Sequence, residues 1–388
     1  MKILHIQLAG PFTDGMGYQE NILTRLHHDM GNEVRIITSR MTVKIGHGLV
    51  LTDSGQFVTG TGIPFIRIPY TKWLPVSIAK KVRVFSGYKK YIEAFNPDII
   101  FVHDIMFFWV QDLIRFLREH PQTRVYVDSH TDQINSAKTW FSRNILHKII
   151  IRYLCVKPLD RYVRRYWGTL PARMLFYQKF YHVSPKKTSL LPMGLDDAEV
   201  DFSKKDEYRK TIRERYHIND NVFLVLTGGK IEKRKRLSLL VEAINKIDDP
   251  SIKLIIFGTP NKEIEKEYES WKENPRVICI GWIDYRDIYQ YCVAADIAVF
   301  PGTHSVIWEQ VVGSGLVGIF QRWEGFQHID INGNCLICDF KNSNDIINTI
   351  QSLKKDKALF AKMKALTQEA SSHFQYSTIA KHCIEQPD

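Results

Sequence analysis

The sequence predicts an α/β protein made of two tandem Rossmann-like domains, each built on a doubly wound parallel sheet. Three observations support this fold class. The chain has 388 residues, and a single core rarely grows beyond about 250–300 residues. Strand-like apolar runs alternate with helical segments almost throughout, which is typical of parallel sheets with crossover helices. The alternation restarts near residue 222, after a polar, acidic segment at 196–206 that has the composition of a linker.

The elements follow from the periodicity of apolar residues. In the first half we predict strands at 3–8, 33–38, 63–68, 98–103 and 123–128, a helix at 18–30, a long loop at 40–62 and a mostly helical, basic, aromatic stretch at 135–182. In the second half we predict strands at 222–227, 252–257, 276–280, 296–300, 315–320 and 335–338. The helices predicted there are 235–247, 261–273, 284–294, 306–313, 343–353, 356–371 and 376–385.

These elements predict a first domain over residues 1–195, a second domain over 196–375 and a C-terminal helical segment, 376–388, that packs back on the first domain. Ligands of doubly wound sheets bind at the carboxyl ends of the strands. We therefore expect the two domains to face each other across a cleft that holds the site.

Composition narrows the class of partner. The net charge of +11 favours nucleoside diphosphates, anionic lipids or nucleic acid. No zinc-finger spacing, ribonucleoprotein motif or long Arg-rich arm is present, so nucleic acid is not expected. The single CxxC, Cys335 to Cys338, lies in an apolar run without a second pair, so no metal site is expected. The chain opens directly on a strand pattern and has no apolar stretch of about 18 residues, so we expect a cytoplasmic protein.

The first candidate site segment follows the strand at 222–227. Two glycines, Gly228 and Gly229, precede five cations: Lys230, Lys233, Arg234, Lys235 and Arg236. Glycine lets the backbone approach a phosphate, and cations at a strand's carboxyl end suit a diphosphate. The alternative is a solvated charged loop, but the position after the domain's first strand favours phosphate binding.

The second candidate segment follows the strand at 296–300. Ser305 is a good N-cap for the next helix, whose free amides can bind phosphate. Glu309 stands about one turn into that helix, where a carboxylate can accept two hydrogen bonds from a ribose diol. The alternative for Glu309 is an acid favoured by the helix dipole.

With these segments in place, the chain resembles the GT-B glycosyltransferases of glycosyltransferase family 4 over nearly its whole length. Gly229-Lys230-Ile231 and Lys235 resemble that family's Gly-Arg-Leu-x3-Lys-Gly donor loop, and Glu309 matches the second Glu of its Glu-x7-Glu motif. Further matches, which gain weight from their order and spacing, are Gly31-Asn32-Glu33-Val34, Ser184, Pro192 to Asp196, Phe257-Gly258, Ile280-Gly281-Trp282 and Asp296 to Pro301.

The chain also departs from the family pattern. Pro301 stands where the first Glu of the pair is expected, and Arg236 replaces the second Gly of the donor loop. Thr303, His304 and Ser305 occupy the place of the customary Glu-Gly-Phe-Gly, in a loop that is about four residues shorter than usual. Because that loop reads the sugar hydroxyls in the family, the identity of the donor sugar is left open.

In the first half, Gly15-Met16-Gly17 after the first strand resembles the family's Gly-Gly loop, which implies contact with donor phosphate and acceptor. No acid ends the second strand, which argues against a dehydrogenase. His103 and His130 end two strands, where ligands bind in such folds. His130 also matches the family's His near the reacting sugar. His103 is equally compatible with a structural role.

The resemblance implies a retaining hexosyltransferase that uses a UDP-linked nucleotide sugar and acts on a glycan or lipid-linked acceptor, as in polysaccharide biosynthesis. It also implies that residues 1–195 form the acceptor domain and residues 196–375 the donor domain. We expect no cofactor, and we expect no metal requirement because the chain has no Asp-x-Asp at a strand end and no His/Cys cluster of ligand spacing. Lys230 and Lys235 would offset charge on the leaving phosphate, Glu309 would hold the ribose, and Gly17 and His130 would lie against the sugar and acceptor. One alternative is a non-catalytic nucleotide- or sugar-binding protein on the same scaffold. The other is a phosphorylase, which would need pyridoxal phosphate.

An anionic membrane surface is a further expected partner, which would place the protein peripherally on the inner face of the membrane. Between Trp140 and Trp167, aromatic residues are interleaved with seven cations and only Asp160 opposes them. A second basic cluster lies between Lys80 and Lys90. Such a pattern suits a helix in the lipid interface. The alternative, that these aromatics pack the domain core, is equally compatible with the sequence.

Overall fold

The computed structural model describes residues 1–44 and 47–385. Residues 45–46 of the predicted loop and 386–388 of the predicted C-terminal segment lie outside the described residues. The chain divides into two compact units: unit 1 comprises Met1–Leu191 and the chain from Ala380, and unit 2 comprises Pro192–Ile379. Both units are α/β with parallel sheets, so the predicted fold class of two Rossmann-like domains is confirmed.

Unit 1 is built on an eight-stranded sheet. Its strands are β1 (Lys2–Gln7), β2 (Glu33–Thr38), β5 (Gly55–Val58), β6 (Pro64–Arg67), β7 (Ile99–His103), β8 (Arg124–Ser129), β9 (Val163–Gly168) and β10 (Thr188–Leu190), and a separate hairpin holds β3 (Met41–Lys44) and β4 (Gly48–Leu51). The order is β10-β9-β8-β7-β1-β2-β6-β5. All neighbours are parallel except β5 and β6. The carboxyl ends of β1, β7 and β8 therefore meet at one edge.

The helices of unit 1 surround this sheet. They are α1 (Gln19–Asp29), α2 (Val76–Val82), α3 (Lys89–Phe95), α4 (Gln111–Glu119), α5 (Lys157–Asp160) and α6 (Pro171–Phe176), with π-helical segments at Ser142–Val156 and Tyr177–Tyr181. The segment Ser142–Val156 runs directly into α5. In residues 1–44 and 47–385, no helix has the length and apolar character needed to cross a membrane.

Unit 2 contains a six-stranded parallel sheet. Its strands are β11 (Phe223–Gly228), β12 (Ile252–Phe257), β13 (Val277–Gly281), β14 (Ile297–Phe300), β15 (Gly318–Gln321) and β16 (Leu336–Cys338), in the order β13-β12-β11-β14-β15-β16. Its helices are α7 (Lys205–Arg215), α8 (Leu237–Lys246), α9 (Glu265–Trp271), α10 (Ile288–Ala294), α11 (Ile307–Gly313), α12 (Ser343–Lys355) and α13 (Lys357–Ala370), and α14 (Tyr376–His382) begins in unit 2.

Two apolar cores sandwich the sheet of unit 2. Along β11, Val225 belongs to one core, and Leu224 and Leu226 belong to the other. Successive side chains of a strand point to opposite faces, so a strand covered on both sides must be apolar at every position. This explains the continuous apolar runs from which β11, β12 and β14 were predicted.

Two predictions about unit 1 were wrong. The predicted loop at 40–62 contains β3, β4 and β5: Gly48 and Gly55 begin β4 and β5, and Gly60 and Gly62 lie in the turn between β5 and β6. The predicted helical stretch at 135–182 contains β9. This strand was missed because Arg164 and Arg165 interrupt its apolar pattern. Its apolar residues Val163, Tyr166 and Trp167 are buried.

Candidate donor site and a buried histidine string

The turns after β11 and β12 require glycine at two positions that contact each other. Gly229 has a φ of +100° and Gly258 a φ of +118°. A Cβ added at Gly258 would lie 1.8 Å from the carbonyl oxygen of Gly229, so only glycine fits there. A Cβ at Gly229 would lie 3.5 Å from Ser305 Oγ. The two segments singled out in the sequence therefore meet at the carboxyl ends of β11 and β14.

Lys235 ties these two segments together. Its ammonium Nζ donates to the carbonyl oxygens of Thr303 at 2.8 Å and His304 at 2.6 Å. Lys235 is only 9% exposed, and burial, followed by the neighbouring charge of Arg234, lowers its pKa to about 8. A Cβ added at Gly302 would lie 2.4 Å from the Lys235 backbone. A buried cation is thus packed against the loop that follows β14.

The other cations of the donor loop are placed differently. The Lys230 side chain is 76% exposed and pairs with Glu232 at 3.0 Å. Arg234 also pairs with Glu232, at 2.5 Å. The Lys233 side chain is 81% exposed. Lys235 therefore faces the loop after β14, whereas the side chains of Lys230, Lys233 and Arg234 are exposed to solvent.

Glu309 on α11 is fully buried and held by two imidazoles. His304 Nε2 lies 2.8 Å from Oε1 and 3.0 Å from Oε2, and His328 Nε2 lies 3.0 Å from Oε1. Burial alone would raise the pKa of Glu309, but the charges and hydrogen bonds of His304 and His328 outweigh it and lower the pKa to about 2. The carboxylate is therefore ionised at neutral pH.

The prediction that Ser305 caps the helix after β14 was wrong. The N-cap position of α11 belongs to Val306, and no side chain caps it. Because α11 has only seven residues, its N-terminus contributes little as an anion site. Ser305 instead lies beside Gly229, in the turn between the two segments.

Several polar atoms around α11 are buried without a hydrogen-bond partner. In the part of the chain that the structure describes, they are Thr303 Oγ1, Trp308 Nε1, Gln310 Oε1 and His328 Nδ1. Buried polar groups are nearly always paired, so such a group of atoms calls for a specific explanation. A polar ligand bound beside α11 would supply the missing partners.

Sequence reasoning gave no role to His328 or Glu232 in unit 2 and did not foresee the conformation of Arg236. His328 lies in a short turn after β15, 19 residues from the carboxylate it contacts, and no local motif marks it. Glu232, which forms ion pairs with Lys230 and Arg234, was given no role in the sequence analysis. Arg236 adopts a φ of +53°, which normally favours glycine, and its guanidinium donates to the Phe340 carbonyl at 2.7 Å. That bond offsets the strain of having Arg where the family pattern has Gly.

In unit 1, three histidines form one buried string that begins at Asp128. His103 Nδ1 lies 2.8 Å from Asp128 Oδ2, and His103 Nε2 lies 2.9 Å from His5 Nδ1. His5 Nε2 lies 3.0 Å from His27 Nδ1, and His27 Nε2 lies 2.8 Å from the Ala380 carbonyl oxygen. The three rings are at most 3% exposed. His103 is therefore bound within the core and not open at the strand end.

The remaining candidates of unit 1 stand apart from this string. His130 follows β8, and burial lowers its pKa to about 4, so its imidazole is neutral at pH 7. Gly15 and Gly17 lie in the turn after β1, where Gly15 is exposed and has a φ of +75°. An acceptor role for these residues stays a prediction.

Comparison with solved structures places the chain among known folds. Sucrose-phosphate synthase from Thermosynechococcus elongatus aligns with a TM-score of 0.67 and 19% identity, over 98% of this chain and 96% of that one. HepE from Anabaena, solved with UDP and glucose, gives 0.64 and 16%, over 98% of each chain. WaaG, described as a glycosyltransferase of lipopolysaccharide biosynthesis, gives 0.57 and 14%, over 99% of this chain and 98% of that one. At these identities the likeness establishes the GT-B fold.

A sequence family also matches, within unit 2. No curated protein matches the chain. Residues 208–372 match the family described as glycosyl transferases group 1. This range contains Gly229, Lys235, Glu309 and His328. Together with the GT-B neighbours it supports a glycosyltransferase, although it does not distinguish family 4 from others of this fold. The similarity to glycosyl transferases group 1 is confined to residues 208–372.

Proposed function

We propose that this chain transfers a hexosyl group from a UDP-linked sugar to a hydroxyl of a glycan or lipid-linked acceptor. One observation carries the proposal. A buried ammonium, Lys235, and a buried ionised carboxylate, Glu309, both contact His304 in the loop after β14, beside the glycine turn of β11. A cation and an acceptor group so placed suit the diphosphate and the ribose of a nucleotide sugar.

The roles follow from charge and burial. Lys235 offsets the negative charge that grows on the leaving diphosphate, an effect that is strong in a site that excludes water. Gly229 lets the backbone approach the phosphates, and Glu309 accepts hydrogen bonds from the ribose. The proposal includes retention of configuration, with the leaving phosphate helping to deprotonate the acceptor. The UDP assignment is supported by HepE, which was solved with UDP bound.

Calorimetric titration with UDP tests the donor site. We expect the wild-type chain to bind UDP, and Lys235→Ala to weaken binding at least tenfold. Lys230→Ala is the matched control, because the Lys230 side chain is exposed and paired with Glu232. Equal losses in the two variants would place the diphosphate elsewhere. Turnover of radiolabelled nucleotide sugars, including slow hydrolysis, would separate an enzyme from a non-catalytic binding protein.

The acceptor side of the proposal rests on unit 1. His130 follows β8 as a neutral imidazole, which can accept or donate one hydrogen bond at a sugar hydroxyl. Gly15 and Gly17 follow β1 at a turn where the backbone is accessible. We assign these residues to the transferred sugar and the acceptor, and His103 to the structural string that it forms with His5 and Asp128.

The acceptor class is proposed from an exposed apolar and basic surface on the segment Trp140–Lys157, here called the aromatic-basic surface. Its exposed apolar residues are Trp140, Phe141, Ile149, Tyr153 and Leu154, and its cations are Arg143, Lys148, Arg152 and Lys157. Tyr166 and Trp167, which the sequence pattern included, are buried in the core instead. Aromatic anchors beside cations suit the lipid interface, so we propose attachment to an anionic membrane that carries a lipid-linked acceptor.

Co-sedimentation with liposomes of graded anionic lipid content tests this attachment. Each cation near an anionic surface contributes on the order of 1 kcal/mol, so we expect binding at low salt that rises with lipid charge and falls at high salt. Trp140→Ser with Phe141→Ser should weaken it severalfold. Trp282→Ser is the matched control, since Trp282 is 71% exposed but lies in unit 2. Binding that is indifferent to lipid charge would favour an acceptor free in solution.

A further inference from the structure

The histidine string of unit 1 contains more hydrogen bonds than neutral rings can supply. Four contacts of 2.8–3.0 Å run in series from Asp128 through His103, His5 and His27 to the Ala380 carbonyl. Each contact needs one proton between its heavy atoms. Both ends of the string accept, since one is a carboxylate and the other a carbonyl oxygen. Three neutral imidazoles carry three ring protons, so a fourth proton is required.

We propose that this string is a buried binding site for one proton, held as an imidazolium at His103 against the Asp128 carboxylate, and that it links docking of the C-terminal segment to that proton. The position follows from the neighbours. Burial, followed by the charges of the other histidines, lowers the pKa of His5 well below its usual value, and burial lowers that of His27 to about 4. His103 is the ring that faces the carboxylate.

Other groups near the string do not supply the missing donor. Glu20 of α1 affects His103 through its charge, and its Oε1 accepts from Gln7 Nε2 at 3.3 Å. Asp104 donates its backbone N–H to Asp128 Oδ1 at 3.1 Å, and His130 affects Asp128 through its charge. Cys383 lies 3.5 Å from His27 Nε2, and burial raises the pKa of its thiol. Even if that thiol donated to His27, the 2.8 Å contact with Ala380 would then join two acceptors.

The Asp128→Asn variant tests whether the extra proton, and not packing alone, stabilises docking of the C-terminal segment. An asparagine can donate from Nδ2 to His103 Nδ1 and keep Oδ1 as acceptor for the Asp104 N–H, so all four contacts are satisfied by neutral rings. Hydrogen exchange of the 380–385 amides, corrected for intrinsic rates, is measured on the full chain from pH 6 to 9. We expect protection in the wild type to fall by up to tenfold per pH unit over the range in which the docked string still holds the proton and the opened segment has released it, and Asp128→Asn to stay flat. The same pH dependence in both would overturn the proposal.

Ring ¹⁵N spectra of histidine-labelled wild type give a second measurement that needs no variant to fold. At neutral pH we expect both nitrogens of His103 to be protonated, and His5 and His27 to be the Nε2–H tautomers. A neutral His103, or His27 protonated only at Nδ1, would overturn the proposal.

An independent observation in unit 2 concerns His304 and His328. They come from separate segments, the loop after β14 and the turn after β15, and both point Nε2 at the buried carboxylate of Glu309. A carboxylate only accepts, so both rings carry hydrogen at Nε2. We infer that His304 and His328 are positioning residues that keep Glu309 ionised and oriented for the ribose. This inference rests on the proposed donor site.

The inference predicts a change in pH dependence when one imidazole is removed. Without His304, the burial that raises the pKa of Glu309 is less opposed, so the carboxylate takes up a proton nearer neutral pH. The ratio of the Kd of His304→Ala for UDP to the Kd of wild type should be at least tenfold larger at pH 5.5 than at pH 7.5. His304→Gln, which keeps an N–H donor, should restore part of the difference. An unchanged ratio between His304→Ala and wild type at the two pH values would overturn the inference.

Urea unfolding between pH 4 and 7 distinguishes failure of this inference from failure of the proposed function. A carboxyl whose folded pKa is depressed contributes stability above its unfolded pKa, and that stability is lost as the pH falls through the folded pKa. His304→Ala should therefore lose stability at a higher pH than wild type, whether or not UDP binds. If this shift is seen but the wild type binds no UDP, the donor assignment fails while the two histidines still position Glu309. If the shift is absent, the positioning role fails.

Discussion

The two units bury their polar networks in opposite ways. In unit 1, the string from Asp128 to Ala380 is bonded at every ring nitrogen. In unit 2, the network around α11 leaves Thr303 Oγ1, Gln310 Oε1 and His328 Nδ1 buried without partners. A complete network stabilises one conformation, whereas an incomplete one carries a desolvation cost that a ligand can relieve. Buried polar atoms without partners also occur elsewhere in unit 1, for example on Gln7 and Gln19, so the contrast applies to these two networks, and it favours the one around α11 as a ligand site.

The largest expected effect tests that open site directly. Lys235→Ala and Glu309→Ala should each lower turnover at least about a hundredfold, as when a charge partner or a positioning contact of the transition state is lost. The assay is transfer from a radiolabelled nucleotide sugar, with circular dichroism to confirm folding. Lys230→Ala should stay within a few fold of wild type. Near-wild-type activity of both site variants would mean that the donor binds elsewhere.

A second test asks whether unit 1 contributes to the chemistry. His130→Ala should lower kcat more than tenfold while the Kd for UDP changes less than twofold, because Lys235 and Glu309 belong to the other unit. A loss confined to kcat indicates an interaction made mainly in the transition state. His120→Ala is a suitable control, since His120 ends α4 and bonds to its own helix at Phe116. Unchanged turnover with weakened UDP binding would contradict the acceptor-side assignment.

A smaller effect is expected from pH. The Lys235 pKa is about 8 because the side chain is buried, so the ammonium loses its charge as the pH rises through that value. The UDP affinity of the free enzyme should therefore fall above pH 8, by no more than about tenfold per unit. Lys235→Arg keeps its charge throughout and should show a flat profile over pH 7–9.5. A wild-type profile as flat as that of Lys235→Arg would show that the charge of Lys235 does not contribute to binding.

The parts of the fold predicted from sequence are those set by local pattern. Strand β11, the glycine turn at Gly229 and the helix with Glu309 follow from apolar periodicity and turn chemistry within a dozen residues each. Strand β9 was missed because Arg164 and Arg165 hide its period, and the hairpin of β3 and β4 because its glycines favoured a loop. Short elements of this kind are decided by tertiary pairing more than by propensity.

The candidate site was predictable only where its members stand in a recognisable motif. Lys235 and Glu309 were proposed from motifs, but the contact of His328 with Glu309 depends on how the chain returns after β15. The histidine string depends on sheet order: β1 lies beside β7 and β7 beside β8, which brings His5, His103 and Asp128 into line. No spacing along the chain encodes that order, so His103 could be placed at a strand end but its partners could not.

The smallest expected effect is that of divalent metal ions, which we expect to leave turnover unchanged. In residues 1–44 and 47–385, no group of three His, Cys, Asp or Glu side chains is arranged to hold a metal ion. The charge that a divalent cation would supply to a diphosphate is available instead from Lys235, whose ammonium is already held at the loop after β14. We therefore expect turnover in excess chelator to remain within about twofold of that in magnesium or manganese. Lys235→Ala sharpens the test, since a variant without the ammonium should gain more from added metal than the wild type does. Loss of wild-type activity in chelator, restored by either metal, would show that Lys235 does not replace the cation.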